Sequence, residues 1–186
     1  MKMRLRRRPA EQRSFGITLA TCLWLAAAGS PSAGTAQEPS AEAWRSFEGT
    51  WSVSGRRESL AVEGGAAAAV VEVSGAIVLA SSEGLGRGFR GEVIGFDDGQ
   101  GTSVGRSVWT DEKGDRVFSR LQGESMQAGK RFLGTITGGT GRYAGLAGEY
   151  SFTWQYVVAA DDAGPGAIQG RTVGLVGRVR RATPPP

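Results

Sequence analysis

The chain has 186 residues, 22 of them basic and 18 acidic, with one cysteine, no histidine and no asparagine. Six basic residues (Lys2, Arg4, Arg6, Arg7, Arg8, Arg13) and one acidic residue (Glu11) lie in residues 1–36, which leaves 16 basic against 17 acidic in the remainder. The positive balance belongs to that first segment, which removes the electrostatic case for a nucleic-acid binder. The lack of histidine excludes His-based triads, imidazole metal sites and histidine proton shuttles.

Residues 1–14 are basic and polar, residues 15–29 are an apolar run, and residues 30–36 are rich in small side chains. Gly34 and Ala36 stand at positions −3 and −1 of a cut before Gln37, the order of a secretory signal. The apolar run is about 15 residues where a membrane span needs about 20. Leu19-Ala20-Thr21-Cys22 offers a lipoprotein alternative, but Thr21 is bulky for the position before a lipidated cysteine and the apolar run continues past Cys22. The expectation is export to periplasm or medium. After that cut Cys22 is gone, so the mature chain has no thiol and no disulfide.

Residues 37–48 read as a polar lead-in, with Ser40 as N-cap of one or two helical turns ending near Phe47. From Gly49 the helical period gives way to apolar alternation punctuated by Gly and Asp clusters, which predicts strands at 50–58, 68–80, 87–96, 103–110, 116–123, 130–137, 149–158 and 168–180. The carboxylates Asp97, Asp98, Asp111, Glu112, Asp115, Asp161 and Asp162 fall in the turns and match no calcium loop. Tyr150, Phe152, Trp154, Tyr156 and Val158 alternate with a mostly polar face. Parity likewise places Trp51, Val53, Val71, Val73, Ile77, Leu79, Phe89, Val93, Val173, Leu175 and Val179 on apolar faces. Ser103–Thr110 is ambiguous, because Arg106 shares parity with Val104 and Val108 while Trp109 takes the other side.

Eight strands in one domain over residues 49–181, followed by a Pro-rich tail at 182–186, suit a small closed antiparallel barrel, with an open sandwich as the alternative. Strand glycines such as Gly75, Gly91, Gly95, Gly105, Gly134, Gly174 and Gly177 fit the bends of a tight barrel wall.

Gly101-Thr102-Ser103-Val104-Gly105 matches a nucleophile elbow in letters only, since no histidine exists and a strand follows the serine. Gly138-Gly139-Thr140-Gly141-Arg142 lacks the Lys-Ser or Lys-Thr and the helix that a phosphate loop needs, and reads as a tight connection between strands. No metal site and no cofactor site is read. The best ligand-site candidates are Trp51, Trp109, Tyr150, Trp154 and Tyr156, which would line an apolar lumen or simply fill it. Arg171 falls on the apolar parity of the last strand as an inward cation, unless a β-bulge reverses it.

The stretch Gly138-Gly139-Thr140-Gly141-Arg142-Tyr143-Ala144-Gly145-Leu146-Ala147-Gly148 resembles the G-G-[ST]-G-x-[FY]-x-G-x-x-G segment of the allene oxide cyclase and dirigent barrel superfamily. Gly105–Asp111 and the strand order are similar to exported bacterial members without an assigned activity. The resemblance implies an all-β, eight-stranded, calycin-like antiparallel barrel, with trimers common among plant relatives. It carries over no catalytic residue, because the mature chain lacks the cysteine and asparagine of the plant cyclases. Three functions follow as expectations. The first is a lumen that binds a small apolar or aromatic molecule. The others are an isomerase or cyclase, and an interaction barrel with a filled core and an exposed apolar patch.

Overall fold

The computed structural model describes residues 43–125, 127–158 and 166–181. Eight strands follow one another: β1 (Arg45–Ala61), β2 (Ala67–Ser82), β3 (Gly88–Asp97), β4 (Ser103–Asp111), β5 (Arg116–Gly123), β6 (Arg131–Gly139), β7 (Leu146–Val158) and β8 (Ala167–Arg181). Each pairs antiparallel with the next and β8 returns to β1, so the sheet closes as a barrel in chain order. Closure leaves no sheet edge exposed and rules out the sandwich. The helical turn expected up to Phe47 is replaced by strand. Phe47 pairs with Ser82 on one side and Gly177 on the other, because it continues the inward series of Gly49, Trp51 and Val53. Ser40 lies outside the described residues, as do Asp161 and Asp162.

Alternation along each strand sends one face inward. Phe47, Trp51, Val71, Ile77, Leu79, Phe89, Trp109, Val117, Phe132, Ile136, Tyr150, Phe152, Trp154, Leu175 and Val179 are buried there. The ambiguity of β4 resolves on Trp109: Ser103, Ser107, Trp109 and Asp111 are buried, while Arg106 is exposed. The rings interlock. Trp109 meets Tyr150 at 4.9 Å, Phe89 at 5.9 Å, Phe47 at 6.1 Å and Trp51 at 6.3 Å between centroids, contacts that add about 0.5–1.5 kcal/mol each beyond burial.

So many rings fit a narrow barrel because glycine faces them. A Cβ on Gly134 would fall inside the Tyr150 ring, one on Gly170 inside Trp154, and one on Gly177 against Phe47 and Tyr150. Gly91 leaves room for Trp51 in the same way, at 2.7 Å from where its Cβ would be. Gly174 does something different: it has φ 64° and sits in a bulge of β8. There the β1 positions Gly49 to Ser52 face Leu175 to Arg171, one residue more on β8. In place of a ladder bond, the Trp51 amide donates to Thr172 Oγ1 at 3.0 Å.

A row of outward residues, seven of its eight members charged or polar, winds along the outer wall from one end of the barrel toward the other. Arg56, Glu72, Ile94, Arg106, Arg120, Thr135, Glu149 and Arg178 are successive cross-strand partners from β1 to β8. No helix among the described residues is long and apolar enough to cross a membrane.

Candidate functional site

The two ends of the barrel differ. At one end the β6–β7 connection folds as a 3-10 turn, Gly141–Tyr143, which drops the Tyr143 ring into the barrel against Phe89 at 5.7 Å. This is the Gly138–Gly148 stretch, and it is the backbone turn its letters suggested. Thr140 ties it to β5: the Arg116 amide donates to Thr140 Oγ1 at 2.9 Å and the Thr140 amide to the Arg116 carbonyl at 2.8 Å. The Tyr143 hydroxyl accepts from the Gly86 amide at 3.2 Å.

Asp111 organises this end. Its Oδ1 accepts from the Lys113 and Asp115 amides at 2.8 and 3.0 Å, while its Oδ2 is ion-paired with Arg142. Burial alone would raise its pKa. The Lys113 amide, the Tyr143 hydroxyl, the Arg142 guanidinium and the Asp115 amide outweigh that and hold the carboxyl below its ordinary value. Asp98 shapes the β3–β4 turn at the opposite end similarly, accepting from the Gln100 and Thr102 amides. These carboxylates build turns, and among the described residues no group of three Cys, Asp or Glu could hold a metal ion.

Towards the other end the packing loosens. A cavity of about 40 Å³ is walled by Trp51, Val53, Val71, Val73, Val93, Gly95, Val104, Gly105, Leu121, Phe132, Phe152, Trp154 and Thr172, and is almost wholly apolar. Its origin is local: Gly95 of β3 and Gly105 of β4 are direct cross-strand partners on the inner face, so two adjacent positions contribute no side chain. The space suits about three water-sized groups, far below the roughly 300–1,000 Å³ of a drug-sized site. Among the described residues the indole Nε1 atoms of Trp51, Trp109 and Trp154 and the Ser103 hydroxyl are buried with no hydrogen-bond partner. Each such group costs about 1–3 kcal/mol when left unpaired.

The predicted site residues separate into groups. Trp51 and Trp154 line the cavity. Trp109 and Tyr150 sit in the packed aromatic layer below it, where the Tyr150 hydroxyl is hydrogen-bonded to Ser119 at 2.7 Å. Burial pushes Tyr150 up to about 12, against the lowering effect of Ser119 and Ser107, so its phenol stays neutral. Tyr156 is half-buried and meets Trp154 edge-on at 5.6 Å. Arg171 is not an inward cation. The β8 bulge reverses parity, so Thr172 is buried while Arg171 and Val173 face outward, with Arg171 reaching Gln155 at 3.4 Å.

A half-buried cation of inward parity among the described residues is Arg57, which sequence reading passed over although it shares the parity of Trp51 and Val53. It pairs with Val71, Val71 with Gly95 and Gly95 with Gly105, so Arg57 stands in the same inward row as the cavity glycines. Its Nε is buried and has no hydrogen-bond partner among the described residues.

The chain matches no family model, no curated protein and no solved structure.

Proposed function

We propose that this protein is an exported barrel that takes a small, largely apolar molecule into the half of its lumen remote from the Tyr143 turn. The apolar cavity, walled in part by Trp51 and Trp154, whose indole N–H groups are buried without acceptors, carries this reading. A guest with an acceptor atom would fill the space and pair a donor that now has no partner. Neither Tyr150 nor Tyr143, the phenols a cyclase or isomerase could use, is among the cavity's lining residues.

A titration with 1-pentanol, followed by the indole N–H signals in NMR, tests it. The Trp51 and Trp154 signals are expected to shift saturably, while Trp44 on the outside does not. Gly95→Val supplies the control. Its Cβ would have the Val104 carbonyl at 3.3 Å and Gly105 Cα at 4.0 Å as nearest neighbours, a tight contact that the backbone must ease by shifting, so circular dichroism establishes that the variant is folded before its methyls are read as filling the cavity. It should lose the shifts. Unmoved Trp51 and Trp154 signals in the parent protein sink the reading.

One observation favours a second use. Val70, Phe96 and Val104 are direct partners across β2, β3 and β4 on the outer wall, with Ile94 beside them, and all four are exposed. Arg106 and Arg120 face each other next to this patch, a like-charged pair with no ion-pair partner among the described residues. An acidic and apolar protein segment would complement that wall.

A further inference from the structure

We propose that the lumen guest is a short-chain carboxylic acid, with its carboxylate held by Arg57 and its hydrocarbon end between Trp51, Gly95, Gly105 and Trp154. This deepens the lumen-binding reading and rests on it. Arg57 is half-buried on the inward face of β1, four residues beyond Val53 and directly opposite Val71, both of which wall the cavity. It also borders the polar opening at this end, together with Asp97, Glu124, Gln127 and Lys130. Arg57 thus lines the opening and shares an inward row with Val71, Gly95 and Gly105 of the cavity, without itself walling the cavity.

Among the described residues, the neighbouring charges leave Arg57 as the available receptor. Glu124 is ion-paired with Lys130 at 3.4 Å. Asp97 is buried, and its Oδ1 accepts from the Gly99 amide at 2.9 Å. Arg57 makes no ion pair among the described residues, and its buried Nε is without an acceptor. A planar fork of donors in that state matches a carboxylate, which can accept two parallel hydrogen bonds. The two acidic neighbours set the selectivity against multiply charged anions, which would meet Asp97 and Glu124 at the mouth. The cavity sets the length: room for about three water-sized groups suits a chain of a few carbons behind the carboxyl.

The test compares pentanoate with 1-pentanol on the full chain, again through the Trp51 and Trp154 indole N–H signals. The expected result is pentanoate binding at least ~10-fold tighter than the alcohol, the factor that one charge-assisted hydrogen bond brings. Arg57→Gln should abolish that preference and leave alcohol binding unchanged, while Lys130→Gln retains it. Arg57→Lys, which keeps the charge but not the fork, should keep part of it. Equal binding of acid and alcohol overturns the anchor and leaves the lumen reading standing. An acid preference that survives Arg57→Gln, or follows Lys130, overturns the assignment to Arg57. Failure of both probes removes the lumen reading itself.

Discussion

Gly134→Val is expected to destabilise the barrel by about 3 kcal/mol or more, at the upper end of what overpacking a core costs. The new Cβ would occupy the space of the Tyr150 ring, directly across from it on β7. Tyr150 cannot swing aside: Ser119 holds its hydroxyl, and Trp109, Phe47 and Phe152 surround its ring. The loss should appear as a lower urea midpoint with an unchanged slope. Gly88→Val is the matched control. Nothing lies within 4 Å of its Cβ position, so its effect should stay within about 0.5 kcal/mol. Equal midpoints for the two variants would mean that the glycines do not make room for the rings.

Asp111→Ala should cost about 2–3 kcal/mol, because it strips acceptors from two turn amides and leaves Arg142 and Tyr143 without their anion. Arg142 is 38% exposed, so water compensates part of the lost pairing and the figure stays below that of a fully buried pair. Glu149→Ala, which removes an exposed partner of Arg178, should cost less than about 1 kcal/mol. The acid side follows from linkage. The folded carboxyl of Asp111 lies below its ordinary value of 3.8, so it binds its proton less readily than in the unfolded chain. Its contribution is present above about pH 4 and fades as the pH falls through the folded value. Thermal unfolding of the parent protein should therefore weaken below pH 4 more than that of Asp111→Ala. A parallel decline in both would contradict the role assigned to the carboxylate.

Most of this fold could be read from the chain, for a physical reason: with eight strands buried on one face, the period of two is imposed at every position. The predicted strands lie within a few residues of the observed ones, and Trp109 settles the inward face of β4. Two elements misled the reading. Around Phe47 a polar stretch with a cap residue looked helical, and only the pairing with β2 and β8 makes it strand. In β8, one bulged residue at Gly174 reversed the parity of Arg171 and Val173, and no local signal separates that glycine from the ring-facing Gly170 and Gly177. The site was less legible still. Parity alone marks Arg57 as inward, but the cavity depends on Gly95 standing opposite Gly105, a register that only pairing reveals. Asp111 was read correctly as a turn builder, yet its partners Arg142 and Tyr143 come from a connection about 30 residues away.

Diffraction from crystals pressurised with xenon tests most directly whether the lumen accepts a guest. Xenon enters dry apolar cavities without needing a specific polar partner. We expect xenon density bounded by Trp51, Gly95, Gly105 and Trp154, and none in the layer of Trp109 and Tyr150 beneath. A lumen with no xenon, its density explained by side chains alone, would contradict the binding role and leave the outer wall of β2, β3 and β4 as the surface through which this barrel acts.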